Sequence, residues 1–194
     1  QLVKFNLPKN YLYFCNMKIS FGEYQVRSLL RSDKEAMVKY ANNFKVSKNL
    51  MDRFPYPYTP EDADAWLESS EQQDPELHFA IATKEELIGA IGLQPLSDVY
   101  RYSVEIGYWL AEPFWGKGIT VEAVKVFTKY TFENFEFNRI FANVFEMNPN
   151  SGKVLEKAGY NLEARLKKTV FKHGKFQDQL IYSMLREDFE KRNQ

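Results

Sequence analysis

The spacing of apolar and polar residues predicts alternating strands and helices along the chain. Three short apolar runs, at 77–83, 86–96 and 102–110, are separated by polar turns, which is typical of an antiparallel strand meander. The stretch after them has an apolar residue at every third or fourth position, which predicts an amphipathic helix packed on the sheet. The residues of this stripe are Ile119, Ala123, Val124, Phe127 and Tyr130.

The flanking segments complete the predicted order of elements. Downstream, the pattern predicts a strand at 139–146, a short helix at 148–160 and further strands ending with 177–185. Upstream, residues 20–30 have the aromatic and β-branched mixture of a strand, and two helices follow before the meander. This order predicts the α/β (α+β) class, with a mixed, mostly antiparallel central sheet flanked by helices.

The starts of the two early helices are marked by capping signals. Ser32 with Glu35, and Thr59 with Asp62, have the spacing of capping boxes, and Pro60 suits the first helical position. With 194 residues and no internal boundary in the pattern, the chain is predicted to form a single domain over 1–194.

Charge and composition narrow the classes of function. The chain has 26 Lys and Arg residues and 26 Asp and Glu residues, so no global field favours nucleic acid or an anionic membrane as a partner. No stretch approaches the about 18 consecutive apolar residues of a membrane span. The single cysteine, Cys15, cannot form an internal disulfide. With no visible export signal, these features predict a cytoplasmic protein.

A glycine-rich turn at the start of the central helix is the main candidate binding feature. In PFWGKGITVEAV, residues 113–124, Gly116, Lys117 and Gly118 directly precede the helix. The unpaired backbone N–H groups at a helix start and the positive end of its dipole favour an anion, above all phosphate.

Two of the three common phosphate ligands fit this turn poorly. A nucleoside-triphosphate loop needs Ser or Thr after its lysine and a glycine at position 111, but the chain has Gly118 and Ala111. A dinucleotide fingerprint needs a small residue at Val121 and a parallel βαβ unit, whereas a meander precedes the turn. A coenzyme A pyrophosphate remains.

The turn then resembles the phosphate motif of the GNAT family of acyl-CoA N-acyltransferases. Residues 115–120 match it as Trp-Gly-Lys-Gly-Ile-Thr, although Trp115 and Thr120 depart from the family pattern. VEIGYWL, NPNSGKVLEKAGY and HGKFQDQLIYSML follow the same order as in the Rim-type ribosomal-protein N-terminal acetyltransferases. The resemblance covers residues 20–187.

The resemblance implies a set of coenzyme contacts. In this family a central strand pair splays apart, and the acyl group lies in the gap. The pyrophosphate of acetyl-CoA would be held at Gly116, Lys117, Gly118, Ile119 and Thr120. Asn148 would bind the pantetheine arm or the acetyl carbonyl.

The chemistry of N-acylation selects the candidate catalytic residues. The amine must lose a proton to attack a thioester, and the leaving thiolate must gain one. Glu105, on the strand before the turn, is the candidate base; its alternative is an ordinary hydrogen bond or an ion pair with Arg101. The family's usual tyrosine acid is replaced by Leu155. The Rim-type branch instead has an Asn-x-x-Ser pattern, which this chain repeats at 148–151. The resemblance thus implies Ser151 as the proton donor or as a hydrogen-bond partner of the sulfur, and helix capping by Asn148 and Ser151 is the alternative.

The two histidines are predicted to be structural. His78 opens a strand and His173 lies in a predicted hairpin turn. No Cys or carboxylate cluster with ligand spacing accompanies them, so no metal site is predicted.

The acceptor is an amine of open identity. Residues 61–76 contain seven acids and no basic residue, next to the aromatic loop 54–58. These acids either attract a cationic amine or form a solvated face. The predicted function is acetyl transfer to a primary amine by direct attack in a ternary complex, with a peptide N-terminus as the favoured acceptor. A polyamine, an antibiotic, or a non-catalytic acyl-CoA binding role are the alternatives, and a monomer and a homodimer both remain open.

Overall fold

The computed structural model of the protein describes residues 17–192, so Cys15 lies outside the described residues. Eight strands of this part form one sheet in the order β1-β2-β3-β4-β5-β6-β8-β7. All neighbours are antiparallel except β5 and β6, which are parallel. The strands are β1 (Lys18–Phe21), β2 (Tyr24–Ser28), β3 (His78–Ala82), β4 (Leu87–Pro95), β5 (Ser103–Leu110), β6 (Arg139–Phe145), β7 (Asn161–Lys172) and β8 (Lys175–Leu185).

Helices cover both faces of the sheet and bury its alternating apolar residues. On β3, Phe79 and Ile81 pack in a core with helix α4, while Ala80 and Ala82 pack in a second core with α1 and α3. The mixed sheet with helices on two faces confirms the predicted fold class. The helices are α1 (Lys34–Ala41), α2 (Phe44–Ser47), α3 (Pro60–Glu71), α4 (Ile119–Asn134), α5 (Pro149–Lys157) and α6 (Arg186–Arg192).

Two predictions near the start of the chain are wrong. Residues 20–30 do not form one strand, because the backbone turns at Gly22, whose φ is 59°, and β1 and β2 form a hairpin. Ser32 and Glu35 do not form a capping box. Asp33 instead accepts a hydrogen bond from the Leu30 backbone at 2.9 Å and pairs with Arg27, so α1 begins one residue later.

The second predicted capping box is confirmed. The Thr59 hydroxyl accepts a hydrogen bond from the Asp62 backbone at 3.3 Å, and the Asp62 carboxylate accepts one from the Thr59 backbone at 2.8 Å. Pro60 occupies the first helical position of α3, as predicted. The capping fixes the start of α3, which forms one wall of the cleft described below.

The parallel strands β5 and β6 diverge in the middle of the sheet. They pair only where Ser103–Glu105 lies beside Arg139–Phe141. Beyond Glu105, β5 remains paired with β4, and β6 with β8, but the two no longer bond to each other. This is the splayed central strand pair that the family resemblance implied, and it opens a gap through the sheet.

Candidate active site

A cleft of about 910 Å³ passes between the diverging ends of β5 and β6. Its walls include Ile106, Gly107, Tyr108 and Trp109 of β5, and Ala142, Asn143, Val144 and Phe145 of β6. The glycine-rich turn and the starts of α4 and α5 line one part, and α3 with the loop before it lines another. Because the sheet is open here, groups on its two faces share one space.

The glycine-rich turn presents backbone amides to this cleft. Gly116 and Gly118 have φ of 76° and 77°, a left-handed backbone that glycine adopts without strain. Gly118 is the N-cap of α4 and no side chain caps the helix, so the amides of Ile119, Thr120 and Val121 have no intrahelical acceptor. An added Cβ at either glycine would meet no atom within 4 Å. This open row of N–H donors fits a pyrophosphate.

The side chains of the turn differ in their relation to the cleft. The Trp115 indole donates a hydrogen bond to the Leu110 carbonyl at 2.7 Å, which ties the turn to the end of β5. Thr120 lines the cleft, whereas Lys117 does not. The Lys117 ammonium lies 5.3 Å from the centre of the Phe114 ring. Any contribution of Lys117 to phosphate binding therefore comes from its backbone or from a rotation of its side chain.

Glu105 lies at the point where the strands separate. It is the last residue of β5 that pairs with β6, and it lines the cleft. Burial raises the pKa of Glu105, while a hydrogen bond from Asn143 and the charge of Arg53 oppose this rise. The Asn143 carbonyl in turn accepts from Gln179 at 2.6 Å, which orients its amide toward Glu105. Of the alternative role for Glu105, the ordinary hydrogen bond is present, to Asn143, whereas the ion pair with Arg101 is not, and Arg101 donates to the Asp98 carbonyl.

Ser151 lies across the sheet from Glu105 and bonds to a tyrosine. Side chains alternate along β5, so Tyr108 projects to the α5 face and Glu105 to the α3 face. The Tyr108 hydroxyl is 2.9 Å from Ser151 Oγ and also donates to the Ser151 carbonyl at 3.3 Å. Burial raises the pKa of Tyr108, so this hydroxyl keeps its proton.

The start of α5 also holds the other residues of the predicted motif. Asn148 occupies the N-cap position of α5 but makes no side-chain cap, and it lines the cleft. Its backbone carbonyl accepts a hydrogen bond from the Ser151 amide at 3.1 Å. The capping alternative is thus absent for the Asn148 side chain. Leu155, which stands at the position of the family tyrosine, is fully buried in the core.

His78 and His173 occupy different environments. Burial, together with the charge of Arg53, lowers the pKa of His78 to about 4, so its ring is neutral near pH 7. His173 lies with Gly174 in the predicted two-residue turn between β7 and β8. Within residues 17–192, no group of three or more His, Cys, Asp or Glu side chains is placed to hold a metal ion.

The acidic helix α3 does not direct its charge into the cleft. Asp64 pairs with Lys34 at 2.6 Å and Glu71 with Arg31 at 2.5 Å. Asp62 is the one acid of the segment that lines the cleft, among the described residues, and its carboxylate is occupied by capping Thr59. The alternative of a solvated face therefore describes α3.

The aromatic loop contributes two of its three rings to the cleft. Phe54 and Tyr58 line it, and Phe54 also contacts Trp109, with ring centres 5.9 Å apart. Tyr56 is exposed and packs on Phe44 instead, at 5.5 Å. Trp66 of α3 lines the same wall. The α3 face of the cleft is thus largely aromatic.

Sequence reasoning missed three polar residues of this site. Tyr108 stands within the quoted VEIGYWL run, where strand alternation from Glu105 would have placed it on the opposite face. Asn143 and Arg53 had no local signal, because each acquires its role only through residues distant in the chain.

Comparison with known proteins agrees with this geometry. A family model described as an acetyltransferase (GNAT) domain matches residues 25–161. The chain belongs to the GNAT acetyltransferase family. It is therefore an N-acetyltransferase, and acetyl-CoA, the acetyl donor of this family, is its cosubstrate.

Relatives of this GNAT protein include bacterial acetyltransferases. It is 36% identical to "Probable N-acetyltransferase YjcK" of Bacillus subtilis (strain 168) over 121 residues, which is 61% of this chain and 67% of that protein. It is also 36% identical to "Putative ribosomal N-acetyltransferase YdaF" of the same organism over 104 residues, 54% of this chain and 56% of that protein. These similarities support the Rim-type branch.

Solved structures share the fold. A ribosomal-protein-S5-alanine acetyltransferase from Vibrio fischeri is 26% identical with a TM-score of 0.75, covering 89% of this chain and 98% of that one. A spermidine N-acetyltransferase from Vibrio cholerae, in complex with CoA and spermine, is 22% identical with a TM-score of 0.74, covering 87% and 98%. The second likeness concerns the fold alone. No helix within residues 17–192 of this GNAT protein is long and apolar enough to cross a membrane.

Proposed function

We propose that this GNAT protein transfers the acetyl group of acetyl-CoA to the α-amine at the N-terminus of a peptide or protein. The observation that carries the proposal is the splay of β5 from β6, with a carboxylate on one face and a hydroxyl pair on the other. Bound at the turn, acetyl-CoA supplies a thioester carbonyl to this gap. Both substrates share one cleft, which supports direct attack within a ternary complex.

Glu105 is the residue we assign to deprotonate the amine. Its carboxylate lines the cleft on the face of α3 and the aromatic wall, where an acceptor enters opposite the coenzyme turn. The Asn143 amide holds the carboxylate in place. The raised pKa of Glu105 makes it a stronger base than an exposed glutamate. The difference between its pKa and that of the acceptor ammonium group is therefore smaller.

Ser151 is the residue we assign to the leaving thiolate. Its hydroxyl lies at the start of α5 on the opposite face, next to Asn148, and both residues line the cleft. The hydrogen bond to Tyr108, whose hydroxyl keeps its proton, fixes the direction of the Ser151 hydroxyl. After Ser151 gives its proton to the thiolate, it takes one back from solvent in the open cleft. Gly116, Gly118, Ile119 and Thr120 would hold the pyrophosphate through their amides.

The paired acids of α3 favour a peptide N-terminus over a polyamine. A polyamine needs several unpaired carboxylates in its site, whereas Asp62 is the one acid of α3 that lines the cleft and its carboxylate is bonded to Thr59. An α-amine has a pKa of about 8 compared with about 10 for an alkylamine, so a single carboxylate base can deprotonate it at a lower free-energy cost. Two similar proteins are named for ribosomal-protein substrates, which agrees with this choice.

Thiol release from acetyl-CoA with matched acceptors tests the proposal. Peptides that begin with Ser or Ala would be compared with the same peptides blocked at the N-terminus, and with spermidine, at low and physiological salt. We expect turnover that requires the free α-amine and changes little with salt. Faster acetylation of spermidine, with a steep loss at higher salt, would show that a polyamine is the acceptor.

A further inference from the structure

Arg53 is a charged residue of the cleft with no assigned partner. It lies on the loop between α2 and α3 and lines the cleft together with Glu105 and His78. It makes no hydrogen bond or ion pair with any residue of the described part of the chain, 17–192. Its guanidinium acts on its surroundings only through its charge, which reaches both Glu105 and His78.

The other charged groups on this side of the cleft already have partners. Asp62 accepts two hydrogen bonds from Thr59, and Glu105 accepts one from Asn143. Lys153 and Lys157 also line the cleft, but they belong to α5 on the opposite face. Arg53 therefore supplies the positive charge on this side of the cleft.

A free guanidinium beside an aromatic wall is suited to a carboxylate. Its planar fork of donors matches the two oxygens of a carboxylate, and it is weakly hydrated compared with an ammonium group. A cationic acceptor such as a polyamine would be repelled at this point. An acceptor with both an amine and an acid could pair each group within the same cleft.

We propose that Arg53 determines acceptor specificity by binding a side-chain carboxylate of the acceptor peptide. This carboxylate lies close to the N-terminal α-amine that Glu105 deprotonates. The proposal rests on the proposed function and names the acceptor class as an acidic N-terminal segment. The carboxylate belongs to one of the residues directly after the first, because an extended peptide advances about 3.3–3.6 Å per residue. Arg53 binds substrate but takes no part in proton transfer.

The test uses the full chain and synthetic peptides that differ at one position. A parent peptide beginning with Ser carries Glu, Gln or Lys at its second, third or fourth position. The variants are Arg53→Gln and Arg53→Glu. Arg101→Gln is the matched control, because Arg101 is an exposed arginine outside the cleft. The ratio of kcat/KM between Glu and Gln peptides measures the preference.

We expect the native enzyme and Arg101→Gln to prefer the Glu peptide by about tenfold at one position, the value typical of one charge-assisted hydrogen bond. Arg53→Gln should remove the preference, and Arg53→Glu should reverse it toward the Lys peptide. If Arg53 serves only to lower the pKa of Glu105, Arg53→Gln will instead shift the pH profile equally for all peptides, which overturns the proposal.

The remaining outcomes separate the two levels of inference. Turnover of peptides without any acidic preference in the native enzyme overturns the role of Arg53 and leaves the proposed function intact. Absence of turnover with every peptide, while another amine is acetylated, overturns the proposed function and this proposal with it. A preference that survives in Arg53→Gln assigns the selection to another residue.

Discussion

Replacement of Gly118 by valine separates coenzyme binding from backbone strain. Gly118 has a φ of 77°, and a Cβ there would project into open space above the amide turn. A β-branched residue in this left-handed conformation costs about 1–2 kcal/mol of stability. The same side chain would also obstruct the phosphate that we propose is bound by the amides of Ile119 and Thr120.

The expected loss of affinity is larger than the loss of stability. Hydrogen bonds to a charged group contribute about 1.5–3 kcal/mol each, so losing two of them weakens coenzyme binding by at least about a hundredfold. The backbone strain itself lowers Tm by about 2–8 °C for a chain of this size. Titration calorimetry with CoA and thermal unfolding measure the two effects separately.

A second glycine provides the control for strain. Gly174 has a φ of 75°, and an added Cβ there also meets no atom within 4 Å, but it lies in the β7–β8 hairpin turn. Gly174→Val should lose comparable stability and bind CoA with native affinity. Native CoA affinity in Gly118→Val, with the same drop in Tm as Gly174→Val, would refute binding of the pyrophosphate at this turn.

Three further predictions concern proton transfer. Glu105→Gln should lower kcat at pH 7 by about 10²–10⁴-fold, with a smaller loss near the pKa of the acceptor amine. Because burial raises the Glu105 pKa, the ionised carboxylate destabilises the fold once the pH exceeds that pKa, so the Tm of Glu105→Gln at pH 7 should equal or exceed the native Tm. A Tm difference, variant minus native, that is lower at pH 7 than at pH 4 would contradict this. Ser151→Ala and Tyr108→Phe should each lower kcat without weakening CoA binding. Because the two hydroxyls share a hydrogen bond, the double variant should be no slower than the slower single variant; fully additive losses would show that Ser151 and Tyr108 act independently. His78→Gln should leave the shape of the activity–pH profile between pH 5 and 8 unchanged, because the pKa of His78 is lowered to about 4; loss of an inflection in that range would assign His78 a titrating role.

Local signals in the sequence were sufficient for most elements of the fold. Strand alternation predicted the meander of β3, β4 and β5, and the 3.6-residue stripe predicted α4, because both periods reflect burial of one face. The Thr59–Asp62 box and the His173–Gly174 turn were correctly placed, since each depends on residues two to four positions apart.

Where local and tertiary forces compete, the sequence pattern was misleading. The predicted Ser32–Glu35 capping box does not form, because Asp33 is buried and paired with Arg27 of strand β2. The seven acids of 61–76 left two interpretations open, an acceptor site for a cation or a solvated face, and the rotation of α3 directs Asp64 and Glu71 toward cations rather than into the cleft. Helix rotation depends on which face packs against the core, and charge counts carry no information about it.

The sequence alone therefore predicted an anion-binding turn before α4 and named Glu105 and Ser151 as candidate catalytic residues. Only the tertiary structure decided which groups share the cleft. Tyr108 contacts Ser151 across 43 positions of sequence, and Arg53 approaches Glu105 from the loop between α2 and α3. Such pairs arise from the divergence of β5 and β6 and from strand register, which are properties of the whole sheet and leave no local pattern in the sequence.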